Sequence, residues 1–189
     1  MKLVGSNTSP YARRLRLLLV DQPYEFVNLD IYVADRDELR RHNPALRVPM
    51  LHDGDQPIFD SRVIFRYLGQ KLGLPVLSWD EENLLTLIDA ANDSLVILLQ
   101  AQRSGLEPTQ DTLLFNLQRE RIATTLAELN RQVEAGRFDE WRYPAICLYC
   151  LWDWAEFRQL PYIRGFDGLR RFWEQNRTQP MVAETDPRN

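Results

Sequence analysis

Cysteine is scarce: Cys147 and Cys150 are the only two in a chain of 189 residues. Two thiols cannot build the disulfide framework of a small secreted domain, and their rarity fits a reducing compartment. Histidine is as scarce, with His42 and His52 alone. Together these four residues make a nominal zinc set. The histidines, however, lie outside finger spacing and in the other half of the chain, so no metal is expected. An excess of one charge is also missing. With 23 basic and 27 acidic residues the net charge is -4, which gives no general attraction to nucleic acid or to an anionic membrane. Long apolar runs are absent too. Ala145 to Trp152 falls well short of the roughly 20 residues that span a bilayer. The start of the chain carries Arg13, Arg14 and Arg16 in its middle and lacks the core of a secretory signal. A soluble, cytoplasmic protein with no nucleic-acid or membrane partner is expected.

What is present divides at about residue 75. Before it, elements are short and turns frequent. Lys2 to Gly5 and Tyr24 to Asn28 read as strands around a helix whose apolar face is Ala12, Leu15, Leu18 and Leu19, with the three arginines on its solvated side. A short helix is expected from Asp35 to Arg41, stopped by Asn43-Pro44. Val48 to His52 and Pro57 to Phe59 form a hairpin around Asp53-Gly54-Asp55, where Asp-Gly accommodates positive φ. Asp60-Ser61 then caps a helix that ends at Gly73 and Pro75. The order is βαβαββα.

From Leu84 the texture is helical. Leu84, Ile88, Ala91, Leu95 and Leu98 recur every three or four residues, and a second such series runs from Leu114 to Val133. A third helix, from about Pro144 to Phe157, is apolar nearly all round and should be the buried centre. Asp167 to Gln175 forms a last short helix, followed by a tail. Residues 1–75 are thus expected as an α/β domain, 76–83 as a linker and 84–189 as an all-helical domain. Cys147 and Cys150, four positions that include the two thiols on one helical face, read as core packing. Trp141, Trp152 and Trp154 read as core and domain interface rather than a base-stacking platform.

Three places could carry chemistry. Ser9-Pro10-Tyr11-Ala12 opens the first helix, where unpaired N–H groups and the positive end of the dipole favour an anion such as a thiolate. Ser9 and Pro10 are equally an ordinary cap and first helical residue. Val48-Pro49 begins a strand. Most X–Pro bonds are trans, but a cis bond would leave Val48 able to pair with an extended peptide. Asp60-Ser61, again an ordinary cap, offers a hydroxyl and helix N–H groups to a carboxylate, and a carboxylate to an ammonium. Arg47 is available to a second carboxylate.

The series SNTSPYARRLRLLL, NPALRVPML and FDSRVIFRYLGQKLG, at these spacings and ahead of a helical half, closely resembles bacterial glutathione transferase-like proteins and the plant tau class. No one motif is specific; the ordered set is. The resemblance covers about 75 residues. It implies a thioredoxin-like domain followed by a helical bundle, and a homodimer. Glutathione, a peptide with one thiol, one ammonium and two carboxylates, matches the three places group for group. By the resemblance Ser9 is the thiol-activating serine, Val48 before a cis Pro49 pairs with the peptide backbone, and Asp60 with Ser61 holds the γ-glutamyl group. Arg47 meets the glycine carboxylate.

Ser9 to Ala12 also resembles the Cys-Pro-Tyr-Cys of glutaredoxins with both cysteines replaced, which excludes dithiol chemistry at this place. The implied activity is transfer of glutathione to a hydrophobic electrophile, a detoxification chemistry. The alternatives are a glutathione peroxidase-like or lyase reaction, or a non-catalytic glutathione-binding or scaffold protein. One departure concerns the buried helix: Arg142-Tyr143-Pro144-Ala145 lacks the family's Ser/Thr cap with an Asp three residues on, so another group is expected to cap it.

Overall fold

The computed structural model describes all 189 residues. The first unit contains β1 (Lys2–Gly5), α1 (Pro10–Leu18), β2 (Glu25–Asn28), α2 (Arg36–His42), β3 (Met50–Asp53), β4 (Gln56–Phe59) and α3 (Ser61–Leu72). This is the βαβαββα order expected from the sequence, and it forms a thioredoxin-like domain. The sheet order is β2-β1-β3-β4, with β1 parallel to β2 and antiparallel to β3. Alternation along β1 divides its side chains between two cores. Val4 joins Leu29, Leu39 of α2 and Met50 in one cluster. Leu3 pairs with Leu51 on the other face; both are fully buried, as are Ala12 and Leu15 of α1 and Ile64 and Leu68 of α3. At the end of β3, Lys71 and Tyr67 of α3 both donate to Asp53 Oδ2. These donors hold the Asp53 carboxyl below its ordinary value.

Gly5 sets how closely α1 approaches the sheet. A Cβ there would stand 2.6 Å from Ala12 Cβ and 3.2 Å from the Phe26 ring. Gly5→Ala must therefore push α1 outward, at an expected cost of about 1–3 kcal/mol. The measurement is the denaturant midpoint at unchanged slope. A wild-type midpoint would contradict the close approach.

The arginines of α1 differ from expectation. Arg13 is 3% exposed and Arg14 fully buried, whereas Arg16 is half-buried. Arg13 Nε donates to Thr185 Oγ1 at 3.1 Å and its Nη2 to the Val182 carbonyl at 2.9 Å. The Arg14 guanidinium lies 5.0 Å from the Tyr11 ring centre, and that of Arg16 lies 4.3 Å from Phe26. Their long stems cover apolar surface while the planar heads meet carbonyl, hydroxyl and ring faces. A periodic reading that sorts residues only by polarity misses this.

The chain divides into two compact units, Met1–Val76 with Thr178–Asn189 and Leu77–Arg177. The tail read as the end of the helical domain thus packs with the first unit. The expected linker is also shorter, because a capping box starts α4 (Trp79–Arg103) within it: Ser78 Oγ accepts from Glu81 N at 3.3 Å and Ser78 N donates to Glu81 Oε2 at 2.8 Å.

The helical unit continues with α5 (Leu113–Glu134), α6 (Tyr143–Phe157), a 3-10 turn at Pro161–Ile163 and α7 (Asp167–Gln175). By length and composition α4 could cross a membrane. Its apolar stripe of Leu84, Leu85, Ile88, Ala91, Leu95 and Leu98 is buried, and it packs on α5 and α6. Helix α6 is buried from Tyr143 through Ala155. Its N-cap, Arg142, makes no side-chain cap bond and instead pairs with Glu81 at 2.9 Å. Pro144, in the first turn, removes one of the N–H groups that a cap would serve.

Candidate functional site

Strand register brings three connections to one end of the first unit's sheet. Val4 of β1 pairs with Met50 of β3, and Met50 pairs with Phe59 of β4. Because β3 runs against both neighbours, its beginning lies beside their ends. The loop after β1 leads to Ser9, Val48-Pro49 immediately precedes β3, and Asp60-Ser61 immediately follows β4. At a strand spacing of about 4.8 Å, the row Val4–Met50–Phe59 spans roughly 10 Å, within reach of a tripeptide.

The loop to Ser9 is pinned. Asn7 N donates to Asn28 Oδ1 at 2.7 Å, and Ser9 N donates to the Ser6 carbonyl at 2.9 Å. Ser9 is the N-cap of α1, with φ -85° and ψ 121°, and its Oγ accepts from Ala12 N at 3.2 Å. A hydroxyl that accepts one bond still has its own hydrogen to donate. Ser9 is half-buried and stands at the positive end of the helix. The cap reading holds, and it is compatible with donation to an outside anion.

The Val48–Pro49 bond is cis. Val48 is half-buried and Pro49 buried, and the backbone N–H and C=O of Val48 take no hydrogen bond within the chain. The turn before it is built by Asn43, a residue the sequence offered only as a helix stop. Asn43 is 1% exposed. Its Nδ2 donates to the Arg47 carbonyl at 2.7 Å, and its Oδ1 accepts from Ala45 N at 2.9 Å. Asn-Pro after a helix is the available signal for such a side-chain-supported turn. Arg47 is exposed.

Asp60 caps α3 with Oδ1, which accepts from Arg62 N at 2.8 Å and Val63 N at 3.3 Å. Its φ of 70° is unusual for a residue with a Cβ. The second carboxylate oxygen takes no bond within the chain, which suits it to a cation. Ser61, beside it, is 4% exposed.

The other polar residues stay apart from these. His42 and His52 meet edge to face at 6.0 Å between ring centres. Partial burial, then His42 and Lys2, push the His52 imidazole below its ordinary value. No three His, Cys, Asp or Glu side chains are grouped to hold a metal ion. Cys147 and Cys150 are fully buried within α6 and form no disulfide. A cavity of about 400 Å³ in the helical unit is lined by Phe138, Arg171 and Phe172 among others. One of about 540 Å³ lies on the α2 side of the sheet, between His42, His52, Val4 and Met50. Neither is lined by Ser9, Val48 or Asp60.

Residues 3–76 match the family model described as the N-terminal domain of glutathione S-transferase. An uncharacterised GST-like protein of Escherichia coli K12, YibF, is 30% identical over 173 residues, which is 85% of this chain and 84% of that protein. Among solved structures, a glutathione S-transferase from Methylobacillus flagellatus KT with glutathione bound superposes with a TM-score of 0.83. It has 23% identity and covers 98% of both chains. A glutathione transferase family member from Pseudomonas fluorescens Pf-5, also with bound glutathione, gives 0.79 at 24% identity over 98% of each. At these identities the structural likeness is one of fold. The match to the Escherichia coli protein runs through both units, and with it the chain belongs to the glutathione S-transferase family.

Proposed function

We propose that the chain is a serine-type glutathione transferase, which binds glutathione along the Ser9, Val48 and Asp60-Ser61 end of the sheet and presents its sulfur as a thiolate. The observation that carries this reading is the register row Val4–Met50–Phe59. It sets the three connections at spacings that suit the thiol, backbone and γ-glutamyl parts of one tripeptide. Glutathione in two structures of the same fold supports it.

In this reading the Ser9 hydroxyl donates to the sulfur while the α1 dipole adds to the effect. The peptide backbone pairs with Val48, the γ-glutamyl ammonium meets Asp60, and its carboxylate meets Ser61 at the start of α3. Arg47 takes the glycine carboxylate. The thiolate lone pair then attacks an electrophilic carbon of a hydrophobic molecule, whose leaving group departs with the bonding pair. A homodimer, implied by the family resemblance, and a cytoplasmic location, expected from the sequence, belong to the same reading.

Calorimetric titration with glutathione in two buffers of different ionisation enthalpy counts the protons released. The expected result is binding with nearly one proton released near neutral pH. Binding without release would instead favour a glutathione-holding module, and no binding would overturn both.

A further inference from the structure

The segment Thr178–Asn189 follows the helices but packs with the first unit, and it does so on the helix that carries Ser9. Within the segment, Val182 and Thr185 are 4% and 1% exposed. Thr185 Oγ1 donates to the Met181 carbonyl at 2.7 Å and accepts from Arg13 Nε at 3.1 Å. Arg13 Nη2 donates to the Val182 carbonyl at 2.9 Å. At the other end of the same residue, Arg13 N donates to the Ser9 carbonyl at 3.0 Å. Ser9 and Arg13, four apart, share one helical face, and side chains on a helix lean toward its N-terminus. The guanidinium thus reaches the segment from the turn that Ser9 opens. A planar, permanently charged head with two acceptors at fixed angles holds that turn more tightly than a lone contact would.

We propose that residues 178–189 are a built part of the thiol site, and that Arg13 is a positioning residue which fixes the first turn of α1, and through it Ser9, against Val182 and Thr185. The effect on catalysis rests on the reading of Ser9 given above; the clamp itself does not.

Thr185→Val replaces the hydroxyl by a methyl of similar shape, and Thr185→Ser keeps it. Ala12 N and Arg13 N bond to the Oγ and carbonyl of Ser9, so exchange of these two amides reports directly on how Ser9 is seated. In full-length protein without ligand, Thr185→Val is expected to speed their exchange about tenfold while α3 amides keep theirs. With glutathione bound at pH 7, the same variant should show less thiolate absorbance and about tenfold lower kcat at a KM within about twofold. Thr185→Ser should behave as wild type in both. The proposal is overturned if the two amides exchange at wild-type rates in both Thr185→Val and Arg13→Met. Wild-type protein that forms no thiolate would instead refute the proposed function, while the exchange rates still decide the clamp.

Discussion

Ser9→Ala is expected to lower kcat about 100-fold while changing the glutathione Kd less than about threefold. Depressing a thiol pKa by about two units needs roughly 2.7 kcal/mol of preference for the thiolate. A charge-assisted hydrogen bond contributes about 1.5–3 kcal/mol and the helix end about 0.3–1 kcal/mol. Alanine removes the first and leaves the second, together with every contact made by the peptide backbone and its charged ends. The variant also loses the cap bond to Ala12 N, for a further cost of about 1 kcal/mol in stability. A separate unfolding measurement keeps that cost apart from the kinetic one. Ser9→Thr, which retains a hydroxyl, should keep most of the turnover. Wild-type kcat in the alanine variant would rule out the hydroxyl as the activating group.

Asp60 supports a second, equally divisible prediction. Its backbone, at φ 70° and ψ 135°, lies in a region costly for a residue with a Cβ, on the order of 1–3 kcal/mol. Glycine would occupy it without that cost and is nearly as good a cap. Asp60→Gly should therefore be as stable as wild type or more so, yet bind glutathione about thirtyfold more weakly, since about 2 kcal/mol of ammonium–carboxylate bonding is lost. Asp60→Asn keeps the capping oxygen and should match the glycine variant in affinity, with stability near wild type. Calorimetry and chemical unfolding on the two variants separate the roles. Tight binding by Asp60→Asn would remove the ammonium contact from the scheme.

These two sites were visible in the sequence because helix starts are local chemistry. Ser9-Pro10 and Asp60-Ser61 announce caps through residue type alone, and the same caps create the anion-friendly helix ends on which the proposed glutathione site rests. Strands were legible from turn residues such as Asp53-Gly54. Features that depend on distant partners were not. Arg13 and Arg14 look like solvated charges until Val182, Thr185 and Tyr11 are placed around them. Asn43 looks like a helix terminator until its amide is seen to brace the Arg47 carbonyl. The start of α4 differs for another reason: Ser78 and Glu81 form an ordinary capping box, but the apolar periodicity that marks the helix begins only at Leu84. The assembly of Ser9, Val48 and Asp60 at one sheet end follows from register, which alternating strand patterns constrain but do not state.

The packing of residues 178–189 with the first unit also bears on how the protein is made. A nascent chain exposes residues 1–76 early, when its sheet and three helices can already collapse. Arg13 then has neither Val182 nor Thr185 to meet, and it remains so while the whole helical unit is synthesised. The turn that carries Ser9 thus completes its contacts only after the helical unit that follows it in the chain has been made.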